Sequence, residues 1–558
     1  MTRDLDQLAD QLFDLVVVGG GITGAFAAWD AALRGLRVVL VDRADFGAAT
    51  SSASSKVIHG GIRHLQKGEI GRVRESLRER AVFLRIAPHL VHHLPFLIPT
   101  YGHVMQGREV LTAAMAAYEL IGLDQNRGLR DPEKRVPRFE VLGRREALAL
   151  EPDLPAAGLT GGVRYTECHM HSSERTTLAV VMAAAEAGAV VANHVEVVGF
   201  RREGARVAGV QARNALGDGA AFDVHARLVA NMTGPWAPRL LAALDRRPAG
   251  RFALSKGVHL VTRSLTRNVA LALATGHQHE GIVSRGGRHL FIIPWRGRSL
   301  IGTTNVPFDG DPADVGVTEK DVADFVAEID SGFPAARLRR EEVEFAFAGL
   351  YPLVDKEVRA GVYQGASAYH VVDHAPDGVE GLITVIGAKY TTARNLARQA
   401  IDLAFRKLGT VRPPRARTAE TPVHGGRIER FSDFLGEAIG KDRAAHRLGE
   451  EIVRELVMCY GTEYPAVLQH ADKDPGAGAR VAASRPTIRA MVRHAVLHEM
   501  ALRLDDVVFR RTGLGTIGDP GEDGLRAAAA IMAEELGWDA ARVERELERV
   551  RTRFRTRG

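Results

Sequence analysis

The chain has 558 residues, 46% hydrophobic and 25% charged, with a formal net charge of +6 and a pI near 9.4. That length implies two or three domains with ample core, and the mixed charge excludes a disordered polyelectrolyte. Only Cys168 and Cys459 occur, with no CxxC, so neither a zinc framework nor a disulfide scaffold is expected.

The first ten residues are polar and carry no signal-peptide core, which predicts a cytoplasmic protein. An apolar strand ending at Val18 runs into Gly19-Gly20-Gly21-Ile22-Thr23-Gly24, then an alanine-rich helix, then the strand Val38 to Val41 closed by Asp42. Gly19 permits a tight turn, Gly21 lets backbone approach a pyrophosphate, and Gly24 lets helix and strand pack closely. Asp42, 18 residues past Gly24, is placed to accept a ribose hydroxyl. A hydroxyl-rich loop, residues 46–56, follows directly and is read as wrapping a cofactor.

Apolar residues at three- and four-residue spacing predict a helix over 71–87, ended by Pro88, with Arg72, Arg74, Arg78 and Arg80 on a solvated face. Residues 111–122 are apolar around most of a helix, which suits a core helix or a membrane-facing one. The longest apolar stretch, 178–192, is broken by Glu186 and Gly188 and reads as a helix turning into a strand, not a membrane span. Residues 195–310 alternate glycine and charge with short apolar runs, as strands of a mixed or antiparallel sheet do; 290–295 and 299–304 are two of them. A further strand over 382–387 precedes a helix over 392–407. The Pro/Arg-rich segment 411–422 reads as a domain boundary, with amphipathic helices beyond it at 448–460, 487–504 and 524–554. The basic excess suits an anionic substrate or a negatively charged membrane face, and no aromatic–basic interleaving points to nucleic acid.

Taken together, residues 17–24, the run Thr50-Ser-Ser-Ala-Ser-Ser-Lys-Val-Ile-His-Gly-Gly-Ile-Arg63, and residues 87–90, 231–236, 256–259, 294–295, 301–304 and 389–392 resemble the FAD-dependent (aerobic) glycerol-3-phosphate dehydrogenases. Arg493-His494 through Arg510-Arg511-Thr512 resembles that family's C-terminal helical domain. The resemblance implies an α/β (mixed α+β) fold: a Rossmann-like FAD-binding domain of the glutathione-reductase type, a mixed-sheet substrate domain and a C-terminal helical domain. The expected division is FAD-binding segments at 1–100, 165–245 and 351–410, a substrate or cap segment at 101–164, a substrate sheet at 246–350 and helices at 420–558.

The resemblance also implies oxidation of sn-glycerol 3-phosphate to dihydroxyacetone phosphate, by hydride transfer to N5 of FAD and onward electron transfer to a membrane quinone. Peripheral contact with the inner face of the cell membrane and a homodimer are further expectations. Arg63, His259 and Lys389 are the implied catalytic residues, with His259 a candidate proton acceptor because histidine titrates near neutrality. Arg63, His64, Tyr351, Lys389 and Thr391 would meet substrate. The cofactor set is Gly19, Gly20, Gly21, Thr23, Gly24, Asp42, Arg43, Thr50, Ser51, Ser55, Lys56, His59, Gly60, Gly61, Val195, Thr233, Gly234, Gly387, Lys389 and Thr391. No metal is expected.

Departures from the family pattern gather at the substrate end. Tyr351 and Ser367 stand where the family has arginine, His64 where it has tyrosine, Asn305 where it has aspartate, Ala388 where it has glycine and Ala393 where it has tyrosine. Losing one charge-assisted phosphate contact costs about 1.5–3 kcal/mol, and Lys356, Arg359 and His64 are the candidates to compensate. Three alternatives stay open at this point: another polyol phosphate or secondary alcohol as substrate, an amine or amino-acid oxidase, and a flavin-binding sensor with a decayed pocket.

Overall fold

The computed structural model describes residues 1–65, 67–103, 107–217, 219–244, 252–274, 289–354, 369–387 and 389–557. Lys356, Arg359, Ser367 and Ala388 lie outside the described residues.

The strand Leu12–Val18 is apolar at nearly every position because helices cover the sheet face on which it lies. It pairs in parallel with Val38–Val41 on one side and Phe222–Asn231 on the other. Val190–Ala192 and Leu382–Ile386 extend the parallel sheet outward, and the hairpin Val195–Glu203/Arg206–Asn214 pairs antiparallel to Phe222–Asn231. The helix Ile22–Leu33 starts at the glycine turn. It packs between the helices Ser173–Glu186 and Ala393–Lys407, its alanines giving close approach. The 178–192 stretch is a helix followed by a strand, as its pattern predicts.

A second sheet of ten strands stands beside the first. Its long members are Val91–Tyr101, Leu159–Met170, Phe252–Thr262 and Val343–Val354. Val91–Tyr101 pairs antiparallel with Leu159–Met170 over most of their length. The chain therefore enters the second sheet before residue 100 and leaves it after residue 165, so the two expected boundaries fall inside strands of this sheet. Local composition cannot reveal a pairing that spans some sixty residues.

One expectation about charge is corrected. Arg80 is 1% exposed and not part of a solvated face: it pairs with Glu167 at 2.8 Å and donates to Thr166 O. Arginine on a helix between apolar positions reads the same whether water or a buried carboxylate faces it.

The C-terminal helices beyond 431 are fixed to the first domain by buried ion pairs. Asp45, just after the second strand, receives Arg510 Nε at 2.6 Å and both terminal nitrogens of Arg511 at 2.6 and 2.7 Å. Arg175 donates to Glu499 at 2.7 Å and lies over the Tyr460 ring. Burial alone would raise the Asp45 carboxyl, but Arg511 and Arg510 outweigh it and hold the group well below the usual carboxylate range. The predicted helix 524–554 is two helices, Glu522–Leu536 and Ala540–Phe554, broken at Gly537 in a left-handed conformation.

Candidate active site

A cavity of about 1290 Å³ lies where the two sheets and the C-terminal helices meet. Its size exceeds the roughly 300–1,000 Å³ usual for a drug-sized ligand. It is lined at one end by Gly19, Gly21, Thr23, Asp42, Arg43, Val195, Thr233 and Gly234, and at the other by His59, Gly61, Arg63, His64, Lys389 and Thr391. Residues far apart in sequence thus share one space.

The first end has the build of a dinucleotide cradle. Gly19 has φ +110°, and a Cβ there would lie 2.5 Å from Met232 O; a Cβ on Gly24 would lie 1.9 Å from Gly19 O. No side chain fits at either position. Asp42 accepts from the Gly20 amide at 2.6 Å and the Ala44 amide at 2.8 Å, which fixes its carboxylate at the cavity wall. Burial pushes its carboxyl up to about 6 against those two amides, so a hydroxyl donor arriving there would be favoured. Gly234, with φ +57° and nothing within 4 Å of a Cβ, leaves the wall open. The Trp236 indole faces the same cavity, stacked under Arg43 at 4.5 Å, with its Nε1 buried and unpartnered among the described residues. With the helix Ile22–Leu33 aiming its amide end at the same space, these residues fit a flavin dinucleotide, pyrophosphate at the glycine turn and ribose at Asp42.

Some expected cofactor residues act one step behind the cavity wall. Gly20 and Gly24 shape the turn and do not line the cavity. The Gly60 amide, expected under the flavin, is turned the other way and donates to Glu167 Oε2 at 2.6 Å; a Cβ there would strike Tyr118 and Arg80. Lys56 does line the cavity, with its ammonium held by Glu174 at 2.5 Å and Ser173 at 2.9 Å. Thr50 donates to Leu350 O at 2.6 Å and Ser51 accepts from the Ile22 amide at 2.9 Å, so this loop ties the glycine turn to the second sheet. Gly387 lines the cavity, and a Cβ on it would lie 2.5 Å from Leu396.

At the second end, His259 Nε2 lies 3.0 Å from Ser55 Oγ, and its ring stacks on Phe347 at 5.1 Å. Burial, aided by Lys56, lowers His259 to about 3, so it is a neutral, weakly basic imidazole. Burial also lowers His59 to about 3, with Arg63 and Lys389 adding to the effect. Its amide donates to Thr391 Oγ1 at 3.0 Å, joining the two segments that carry Arg63 and Lys389. Arg63 lies over the Phe291 ring at 4.7 Å.

His64 is the most connected of this group. Its Nδ1 meets Glu69 Oε2 at 2.5 Å, and its Nε2 accepts from the Lys389 ammonium. Those two partners fix one tautomer, with the proton on Nδ1 and a lone pair on Nε2. Burial and then the Lys389 charge lower His64 to about 4, against the Glu69 bond. Burial and then Arg72 lower Lys389 to about 8, against Glu69 and Glu75. Sequence reasoning passed over Glu69. It stands five residues beyond His64 at the head of the next helix, and that short loop return was the available signal.

This is a flavin-dependent oxidoreductase by fold and by site. Residues 14–394 match the FAD dependent oxidoreductase family and residues 416–543 match the C-terminal domain of alpha-glycerophosphate oxidase. The chain is 32% identical to glycerol-3-phosphate dehydrogenase of Synechocystis sp., over 98% of this chain and 97% of that one. It is 34% identical to glycerol-3-phosphate dehydrogenase of Mycobacterium leprae, over 97% and 88%. The structure of glycerol-3-phosphate dehydrogenase from Bacillus halodurans complexed with FAD superposes with a TM-score of 0.77 at 28% identity, covering 98% of this chain and 95% of that one. The chain belongs to the FAD-dependent glycerol-3-phosphate dehydrogenase family, and its cofactor is FAD.

Proposed function

We propose that this enzyme oxidises sn-glycerol 3-phosphate to dihydroxyacetone phosphate and passes the electrons to a quinone. The observation that carries the reading is the cluster of Arg63, Lys389 and the His64–Glu69 pair in the cavity that also holds the dinucleotide cradle. Positive charge at this end, with Lys67 also on the wall, suits a phosphorylated alcohol. FAD, held by the cradle around Gly19, Gly21, Asp42 and Thr233, would supply the two-electron acceptor for the alcohol.

The protein's share is orientation and proton handling. Arg63 offers a planar fork to the phosphate. When the Lys389 ammonium turns from His64 Nε2 to the alcohol oxygen, the freed Nε2 lone pair takes the hydroxyl proton, and Glu69 holds the ring by its other nitrogen. Lys389, hydrogen-bonded to that same Nε2, stabilises negative charge on the alcohol oxygen as the proton leaves. His259, packed on Phe347 and bonded to Ser55, holds the hydroxyl-rich loop in place at the cavity.

The quinone reading is supported by an apolar surface. Leu120 and Leu123 are 68% and 75% exposed at the end of the helix Arg108–Ile121, whose Leu111, Met115 and Tyr118 are buried. Arg74 donates to Ile121 O, which brings exposed Ile70, one turn earlier on its helix, to the same edge. Among the described residues no helix is long and apolar enough to cross a membrane, so contact would be peripheral.

The test is anaerobic mixing of the purified holoenzyme with glycerol 3-phosphate. Rapid bleaching of the flavin, reversed faster by a soluble quinone analogue than by oxygen, is expected. Bleaching by amines alone, or by no polyol phosphate, overturns the substrate assignment. Faster reoxidation by oxygen overturns the acceptor. Cosedimentation with anionic liposomes that survives Leu120→Ser/Leu123→Ser overturns the membrane face.

A further inference from the structure

The geometry points to a binding site for one divalent transition-metal ion of the zinc class, formed by His470, His494 and His498 in the C-terminal helical domain. None of the three lines the flavin cavity. His494 and His498 are four residues apart on the helix Arg489–His498, so their rings share a face. His470 stands in the last turn of the neighbouring helix Tyr464–Lys473 and turns toward them. The ring centroids are 4.7 Å apart for His494 and His498, and 5.7 Å from each of these to His470. One ligand atom from each residue lies within 4.8 Å of the other two. Tetrahedral zinc with nitrogen ligands at about 2.0–2.1 Å needs them about 3.4 Å apart. A modest rotation of exposed His498 shortens its distances.

Two further observations favour an ion over mere ring packing. His494 is 6% exposed, and both its Nδ1 and the Nε2 of His470 are buried with no hydrogen-bond partner among the described residues. A buried imidazole nitrogen left unpaired costs free energy, and two at one spot are explained together by a shared ligand. The other two clusters of potential ligands among the described residues are already satisfied: Glu455, beside His171 and Cys459, is paired with Arg296, and Asp45 and Asp506, beside His194, are paired with Arg510. Among the described residues the histidine cluster contains no carboxylate ligand and no guanidinium bond of that kind. Three nitrogens with His498 toward solvent leave a fourth position for water. Bound there, the ion would clamp two helices that are otherwise joined by packing and by the exposed Arg493–Asp474 ion pair.

The experiment uses tag-free holoenzyme, stripped with a chelator and desalted. Zinc is titrated against a chromophoric competitor, and bound metal is counted by elemental analysis. One zinc per chain is expected, with a rise in thermal midpoint that saturates at one equivalent. Cobalt in its place should give tetrahedral ligand-field bands to the red of the flavin absorption. His498→Ala, at an exposed position, and His470→Asn should each weaken zinc by at least about 100-fold, since outer-shell losses alone cost roughly 10- to 100-fold. Glycerol 3-phosphate bleaching of the flavin should be the same in all three proteins, which separates this site from the catalytic reading. Substoichiometric zinc in the parent protein, or zinc affinity unchanged in both variants, overturns the proposal.

Discussion

The phenol of Tyr351 donates to the side-chain oxygen of Asn305, which also accepts from Ser255 Oγ at 2.7 Å. Tyr351 and Ser255 are opposite one another in antiparallel strands, and Asn305 reaches in from the loop beyond. Both Tyr351 and Asn305 are departures from the family pattern, and they touch. An arginine and an aspartate at these positions would pair as ions; here a phenol and an amide pair as neutral groups. The missing arginine is therefore matched by a missing acid, and the net charge of the pair is unchanged.

Tyr351→Phe should accordingly raise KM for glycerol 3-phosphate by no more than about fivefold, the worth of one neutral hydrogen bond of about 1 kcal/mol. Arg63→Met removes a charge-assisted contact of about 1.5–3 kcal/mol and should weaken kcat/KM by roughly 10- to 150-fold. Steady-state kinetics on both variants reads the contrast.

His64→Gln should lower the rate of anaerobic flavin bleaching by about 10²- to 10⁴-fold, the usual contribution of a positioned base. Glu69→Gln keeps the ring in place but loses the carboxylate, and its loss should be smaller. If stopped-flow rates show His259→Gln slower than His64→Gln, the proton acceptor is the buried histidine instead.

The pH profile should carry the signature of Lys389. A cation loses its charge as pH rises through its pKa, so kcat/KM of the holoenzyme should fall above about 8. In Lys389→Arg the alkaline limb should vanish, because guanidinium stays charged.

Gly24→Ala places a methyl against Gly19 O, with no flexible neighbour to yield. The variant should fold by circular dichroism yet lose most of its bound flavin, seen as lost visible absorbance after gel filtration.

Arg511→Met leaves Asp45, 0% exposed, short of compensating charge, and should destabilise the protein by about 3–5 kcal/mol in thermal or denaturant unfolding. The folded carboxyl sits below its unfolded value of about 3.9. The stability it contributes is therefore full at neutral pH and drains as pH falls below about 4. The gap between wild type and variant should narrow over that same acid range.

The dinucleotide end was legible in the sequence because its determinants are local. Gly19, Gly21, Gly24 and Asp42 belong to one strand–turn–helix–strand unit, and that unit sets the position of each. The substrate end was only partly so. Arg63 and Lys389 could be named from the resemblance, yet the bond between His64 and Lys389 joins residues 325 apart and depends on the two sheets closing. Glu69 was hidden because an acid before a helix is also an ordinary way to begin one. Lys56 and Gly60 stood in the right segment, but the carboxylates of Glu174 and Glu167 that meet their polar groups come from positions more than 100 residues away and left no local mark. The expected boundary near residue 100 falls inside a strand, and strand pairing between distant segments leaves no mark on composition.

Asp45 lies three residues beyond Asp42 at the cavity wall, whereas the guanidinium groups that neutralise it arrive at positions 510 and 511. A nascent chain leaving the ribosome thus exposes its nucleotide turn more than 450 residues before the partners of that turn's neighbouring carboxylate exist. Nucleotide loading should wait for translation to finish, and a premature stop ahead of codon 510 should yield a colourless, protease-sensitive fragment even though every glycine of the first domain is present.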